Sequence, residues 1–185
     1  MKQNESIVMY VLRLAGTLLL ICAVTAGLLA GVNAITAPII AELNAAATQE
    51  AISAVLPGGF DSEITDYADA SGIVSKVYQG EAGYALEVGP GGFDNTITLM
   101  VGIDNEGKVL GISVVSHTET AGLGAVADAD TPKGIAFREQ FVGTSGSVSV
   151  TKDGGMMDAI TGATITSRAI CVGVNAALDC VAGLG

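Results

Sequence analysis

A chain of 185 residues, half of them hydrophobic, with a formal net charge of −11 and no tryptophan, sets a prior of one domain. The acidity excludes nucleic acid as a partner, because its phosphates would be repelled. The 25 glycines are scattered among apolar runs and mark neither a low-complexity linker nor an internal repeat.

The hydrophobic excess lies near the N-terminus. Residues 14–34 (LAGTLLLICAVTAGLLAGVNA) carry no charge and, as a helix, are long enough to cross a bilayer core. Lys2 and Arg13 precede this run and no basic cluster follows it. The positive-inside rule then predicts a cytoplasmic segment 1–13, a single span 14–34 and an extracytoplasmic remainder, in a cell (inner) membrane. A cleaved signal peptide is the rival, since Val32-Asn33-Ala34 resembles a small-residue cleavage site. The apolar stretch exceeds an ordinary signal h-region, which favours an uncleaved anchor.

Next, Thr36-Ala-Pro38 predicts a short break, and the Ala-rich run 41–56 predicts a helix ending at Pro57-Gly58-Gly59. Together, residues 35–60 read as a linker or stalk, with a folded domain over 61–185. Residues 72–78 and 83–88 read as strands. The clearest hairpin follows: Ile97, Leu99, Val101 and Ile103 alternate on one strand, and Leu110, Ile112 and Val114 on the next, with residues 104–108 as the turn. Such alternation predicts an antiparallel sheet whose other face is wetter or covered differently.

Residues 117–127 (HTETAGLGAVA) form a small-residue loop, and Thr131-Pro132 caps and starts a short helix through Phe141. Residues 147–151 are a plausible strand. The last helix, about 166–182, carries an apolar stripe at Ile170, Val174, Leu178 and Val181, with Arg168, Asn175 and Asp179 elsewhere. The fold class is α+β with a membrane anchor. Cys171 and Cys180 fall on opposite faces of this helix, about 13 Å apart along its axis. They are too distant to pair, so buried free thiols are expected, as is Cys22 within the span. His117 and Glu119 do not make a zinc-type ligand set, and no metal is expected.

The chemistry concentrates in residues 158–168 (DAITGATITSR), where four hydroxyls surround Gly162 just before the last helix. Helix N-termini present unpaired N–H groups and a partial positive charge, which suits a phosphate. The plainer reading is a turn with a Ser or Thr helix cap, and the two are compatible. The segment also resembles the flavinylation motif of the FMN-binding domain family, through Asp158, Thr161, Gly162, Ala163 and Thr164. The resemblance implies FMN joined to Thr164 by a phosphoester bond, with Thr166 close by and a flavin transferase needed for maturation. Gly162 and Ala163 suit such a site because small side chains admit the phosphate and a modifying enzyme. Asp158 is the odd member, since its charge opposes a phosphate; recognition or metal-assisted attachment is its expected role.

A second stretch, residues 116–124 (SHTETAGLG), resembles the same family's His-x-Glu-Thr-x-Gly-Leu-Gly loop. That carries His117, Glu119, Thr120, Gly122, Leu123 and Gly124 into the expected flavin surroundings. Residues 122–127 also fit a G-x-G-x-x-A dinucleotide fingerprint, but residues 128–132 (DADTP) interrupt the helix that fingerprint requires. No nucleophile elbow supports a hydrolase built on His117.

Taken in order, the span, stalk, loop and motif resemble the G-subunit family of the Rnf complex, a membrane ferredoxin:NAD⁺ oxidoreductase coupled to Na⁺ or H⁺ movement. The related C subunits of Na⁺-pumping NADH:quinone reductases share the motif and are usually longer. The resemblance implies a flavoprotein that relays electrons among other membrane subunits of a translocase, without being catalytic alone. The alternative is a membrane-anchored FMN-binding sensory or accessory protein with no part in ion transport.

Overall fold

The computed structural model describes the backbone of residues 2–184 and the side chains of residues 9–184. Met1, Gly185 and the side chain of Lys2, on which part of the expected topology rests, lie outside the described residues. Two compact units form, Met1–Ala46 and Ala47–Gly185.

Helix α1 runs without interruption over Lys2–Val55 and contains Pro38, where the sequence predicts a break. A proline inside a helix removes one hydrogen bond and crowds the preceding turn. Here the Ala- and Leu-rich residues on both sides sustain the helix through that loss. Within the first unit its apolar side chains are exposed along their whole length, Leu14, Leu19, Leu29 and Ile35 among them. A run of that length and character crosses a bilayer core as one helix.

The second unit is built on a five-stranded antiparallel sheet in sequential order: β1 (Ser62–Ile64), β2 (Val74–Gly80), β3 (Gly83–Val88), β4 (Thr98–Asp104) and β5 (Val109–Ser116). The predicted hairpin is present, with Val101 opposite Ile112. One face packs Val77, Leu86, Leu99, Val101 and Ile112 against α3 (Thr164–Ala182), whose predicted stripe of Ile170, Val174, Leu178 and Val181 is buried there. α3 is also long and apolar enough to span a membrane, but it is the central core helix of this unit.

The other face is not wet. Ala51, Ile52, Val55 and Leu56, at and just beyond the end of α1, cover Tyr78, Ala85 and Met100. The residues read as the end of a stalk are therefore part of the folded unit. Gly102 makes the approach possible, since a Cβ there would strike the Val55 carbonyl oxygen.

Helix α2 (Pro132–Glu139) starts as predicted, with the Thr131 hydroxyl accepting from the Gly134 amide and Pro132 at the first turn. Two expectations change. Residues 147–151 form no strand; Val150 makes only an isolated bridge to Met157. α3 begins at Thr164, two residues early, so Thr166 lies inside the helix and Ala163 occupies the cap position. Cys171 and Cys180 are buried free thiols, and burial pushes Cys171 up to about 11.

Two outcomes follow from this packing. Gly102→Ala should cost about 1–3 kcal/mol, because backbone rather than a flexible side chain blocks the new methyl group; urea unfolding of the detergent-solubilised chain reads it. Cys171 and Cys180 should resist iodoacetamide at neutral pH in the folded chain and react after denaturation, as peptide mass spectrometry would report.

Candidate functional site

The start of α3, the 117–124 loop and the turn after Pro90 converge on a cavity of about 290 Å³. Of the residues singled out in the sequence, Glu119, Thr120, Leu123, Gly124, Gly162, Ala163, Thr164 and Thr166 line it. Asp158, Thr161 and Gly122 line a separate cavity of about 520 Å³ next along the same two segments. His117 lines neither. Its Nδ1 accepts from the Glu119 amide, and its Nε2 lies 3.7 Å from Asp128 Oδ2, so both ring nitrogens face the protein.

Glu119 holds the smaller cavity together. Its side chain is buried, Oε1 accepts from the Phe93 amide at 2.8 Å, and Oε2 accepts from the Thr166 hydroxyl at 2.5 Å. Both oxygens are thus committed to protein donors from two distant segments. Gly124 leaves them room: a Cβ there would stand 2.5 Å from Glu119 Oε2 and 2.6 Å from Thr166 Oγ1. Gly162 has φ 81°, a left-handed conformation that favours glycine, and a Cβ there would stand 2.9 Å from Leu123 Cδ2.

Thr164 is the first residue of α3, and no side chain caps this helix. The first amides of a helix have no intrahelical partner, so they remain available to an anion. Lys152 adds a full positive charge, with its Nζ 3.1 Å from Thr164 Oγ1. It sits on a 3-10 turn (Thr151–Asp153) that is tied to α3 by Arg168, which donates two hydrogen bonds of 2.7 Å to the Asp153 carboxylate. Those bonds hold the Asp153 carboxyl below its usual range.

The walls are apolar. Phe93, Leu123 and Ile165 line the cavity and remain partly exposed. Sequence reasoning missed Lys152, Phe93 and Ile165. Lys152 had a signal, being one of only eight Lys and Arg residues and close before the motif. Phe93 follows the glycine-rich residues 89–92 (GPGG). An uncapped helix start, a lysine at the Thr164 hydroxyl and apolar walls fit a group with a phosphate at one end and a planar ring at the other.

The fold and this site define an α+β flavin-binding domain behind an apolar N-terminal helix. Residues 92–179 match the FMN-binding domain family, and residues 1–55 match the RnfG N-terminal region. The G subunit of the ion-translocating oxidoreductase complex of Methanosarcina acetivorans is 34% identical over 176 residues, 89% of this chain and 91% of that protein. Its counterpart in Vibrio cholerae is 39% identical over 97 residues, 51% of this chain and 46% of that protein. In Vibrio parahaemolyticus the identity is 41% over 91 residues, 48% of this chain and 43% of that protein. The chain belongs to the G-subunit family of Rnf-type ion-translocating oxidoreductase complexes.

Thr166→Val removes the hydroxyl from Glu119 while keeping the side chain's volume. It should lower stability by about 1–3 kcal/mol, because a buried carboxylate oxygen loses its donor. Chemical denaturation of the purified chain checks this, and a change below a few tenths of a kcal/mol would remove Glu119 as the clamp.

Proposed function

We propose that this chain is an electron-transfer subunit of a membrane ion-translocating oxidoreductase and carries FMN as a phosphoester on Thr164. The observation that carries the reading is the Thr164 hydroxyl at the uncapped start of α3, 3.1 Å from the Lys152 ammonium, in an apolar-walled cavity. When bound, FMN supplies the redox chemistry.

The chain's own residues do the rest. Lys152 and the free amides of α3 stabilise the phosphate charge. Phe93, Leu123 and Ile165 offer apolar surface to the ring, and Leu123 is held by the turn that Gly162 permits. Glu119 fixes the two loops relative to α3 and positions the walls. His117, Thr120, Gly122 and Thr161 shape or flank these loops. Attachment through the phosphate leaves the ring free, and a covalent tether prevents loss of the cofactor to a dilute exterior.

In this reading residues 14–34 cross the cell membrane, 1–13 are cytoplasmic and the flavin domain lies outside, beside other membrane subunits of the complex. The electrons pass between ferredoxin and NAD⁺ in the complex as a whole, coupled to Na⁺ or H⁺. A flavin transferase installs the FMN.

Native chain should retain flavin mass and absorbance after denaturation, and Thr164→Ala should lose both. Membranes bearing Thr164→Ala should still contain the assembled complex, yet lack ferredoxin-driven NAD⁺ reduction and ion transport together. Normal turnover in such membranes would defeat the relay and favour a sensory or accessory flavoprotein. For topology, a membrane-impermeant thiol reagent should label Asp69→Cys in intact cells or spheroplasts; labelling only after membrane rupture would invert the orientation.

A further inference from the structure

The loop that carries Lys152 owes its shape to its own backbone. The Thr151 amide donates to the Met157 carbonyl at 2.9 Å, and the Met157 amide donates to the Ser149 carbonyl at 3.1 Å. The Gly155 amide closes the turn on the Val150 carbonyl, also at 3.1 Å. Gly154 has φ 85°, and a Cβ on Gly155 would strike the Ser149 carbonyl oxygen, so the two glycines permit this tight return. None of these bonds places the loop against α3.

Side chains of α3 do that. Upstream, Asn175 accepts from the Val148 amide at 2.7 Å and donates to the Val148 carbonyl at 2.9 Å. Downstream, the Ser167 hydroxyl accepts from the Ile160 amide at 3.0 Å. Between these clamps, the hydrogen bonds from residues 149–157 to α3, among the described residues, are those of Asp153 with Arg168 and of Lys152 with Thr164. Thr164 and Arg168 are four residues apart, on one face of the helix and about 6 Å apart along its axis. Lys152 and Asp153 are neighbours on the turn, so pairing Asp153 with Arg168 brings Lys152 up to Thr164. The lysine alone is a weak hold, a single 3.1 Å bond from a flexible stem. Arg168 instead grips both carboxylate oxygens at 2.7 Å, which fixes orientation as well as distance. With side chains 49% and 39% exposed, this pair contributes little to stability. Its consequence is placement.

We propose that Arg168 is a positioning residue of the flavin site: through Asp153 it holds the Lys152 ammonium at the Thr164 oxygen, where the phosphate charge falls. The inference rests on Thr164 carrying FMN. Once that oxygen is esterified it is no longer a free hydroxyl, and the ammonium is drawn to the phosphate instead. The Asp153–Arg168 pair is then the tie that keeps the turn on α3. A lysine on a released turn would extend into water, where an ammonium is strongly hydrated and its long stem is free to move. An arginine suits position 168 because its planar fork takes both oxygens of a carboxylate, which an ammonium does not. α3 thereby supplies both the oxygen that bears the phosphate and the grip that places the counter-charge. Their spacing is a dimension of one helix and the turn fastened to it.

The test uses the full-length, FMN-loaded chain in detergent and reads the phosphorus NMR resonance of the flavin phosphate in the oxidised state. Lys152→Gln should move that resonance. Asp153→Asn combined with Arg168→Gln removes one charge of each sign, so the net charge is unchanged. This pair of changes should move the resonance in the same direction, about half as far or more. Added to Lys152→Gln, it should move the resonance no further, because the pair acts through the lysine. A wild-type resonance in the Asp153→Asn, Arg168→Gln chain would overturn the proposal. So would a shift that adds in full to that of Lys152→Gln, which would mean that the pair acts on the phosphate independently. An unmoved resonance in Lys152→Gln would overturn it too, by taking the ammonium away from the phosphate. If the paired change fails to fold by circular dichroism, Arg168→Gln taken through the same cycle with Lys152→Gln decides. Wild-type chain with no flavin mass on Thr164 would instead sink the attachment reading, and the proposal with it.

Discussion

A buried carboxylate with no ion-pair partner among the described residues organises the face around the start of α3. Glu119 accepts one hydrogen bond from the Phe93 amide and another from the Thr166 hydroxyl, so a single side chain joins three segments far apart in sequence. Burying a carboxylate is costly unless its oxygens are satisfied, and here each has a donor. The same bonds satisfy a buried hydroxyl and a loop amide, so loss of any partner strands the others. Gly92 and Gly124 both crowd the Glu119 oxygens closely enough that a Cβ at either would collide with them. Gly92 and Gly124 are thus explained by the carboxylate they flank, before any cofactor is invoked.

This changes how the His-x-Glu-Thr loop works. Read as sequence, His117 and Glu119 look like groups offered to a ligand. In the fold, His117 turns one nitrogen to the loop backbone and the other toward Asp128, while Glu119 spends both oxygens inside the protein. They position the walls. Among the groups that line the cavity, Leu123, Phe93 and Ile165 offer apolar surface, and the Lys152 ammonium and the Thr164 hydroxyl offer polar atoms.

The legible parts of the sequence were those set by local periodicity or by a short motif. Alternation at 97–103 and 110–114 marked the hairpin, the stripe from Ile170 to Val181 marked the core helix, and Thr131-Pro132 marked the start of α2. What escaped was set by tertiary packing. The short β1 is recognised only by its pairing with β2, and the strand expected at 147–151 has no neighbour that would extend its single bridge. α1 passes through Pro38 because the flanking helix formers outweigh one missing hydrogen bond. Its last turns join the domain because Gly102 leaves the sheet bare there, a contact between residues too far apart in the chain for any local pattern to show. Lys152 belongs to the same class: its role depends on the Asp153–Arg168 bonds that carry its turn to the helix start.

The electrostatics of the unit follow from the same geometry. A net charge of −11 opposes an added phosphate at long range, and salt screens much of that over about 10 Å. The near field decides. At Thr164 that field comes from Lys152 and the α3 amides, while the neighbouring Asp153 is matched by Arg168 and Asp158 lines the other cavity. The acidic residues Asp153 and Asp158 are therefore either paired or outside the pocket, leaving one cation directed at the Thr164 oxygen. An acidic domain can still present donors at this point, because Lys152 and the α3 amides face Thr164 while the Glu119 carboxylate in the same cavity has both oxygens engaged by protein donors. Asp158, the one acid of residues 158–164, lines the other cavity, which keeps its charge out of the pocket at Thr164.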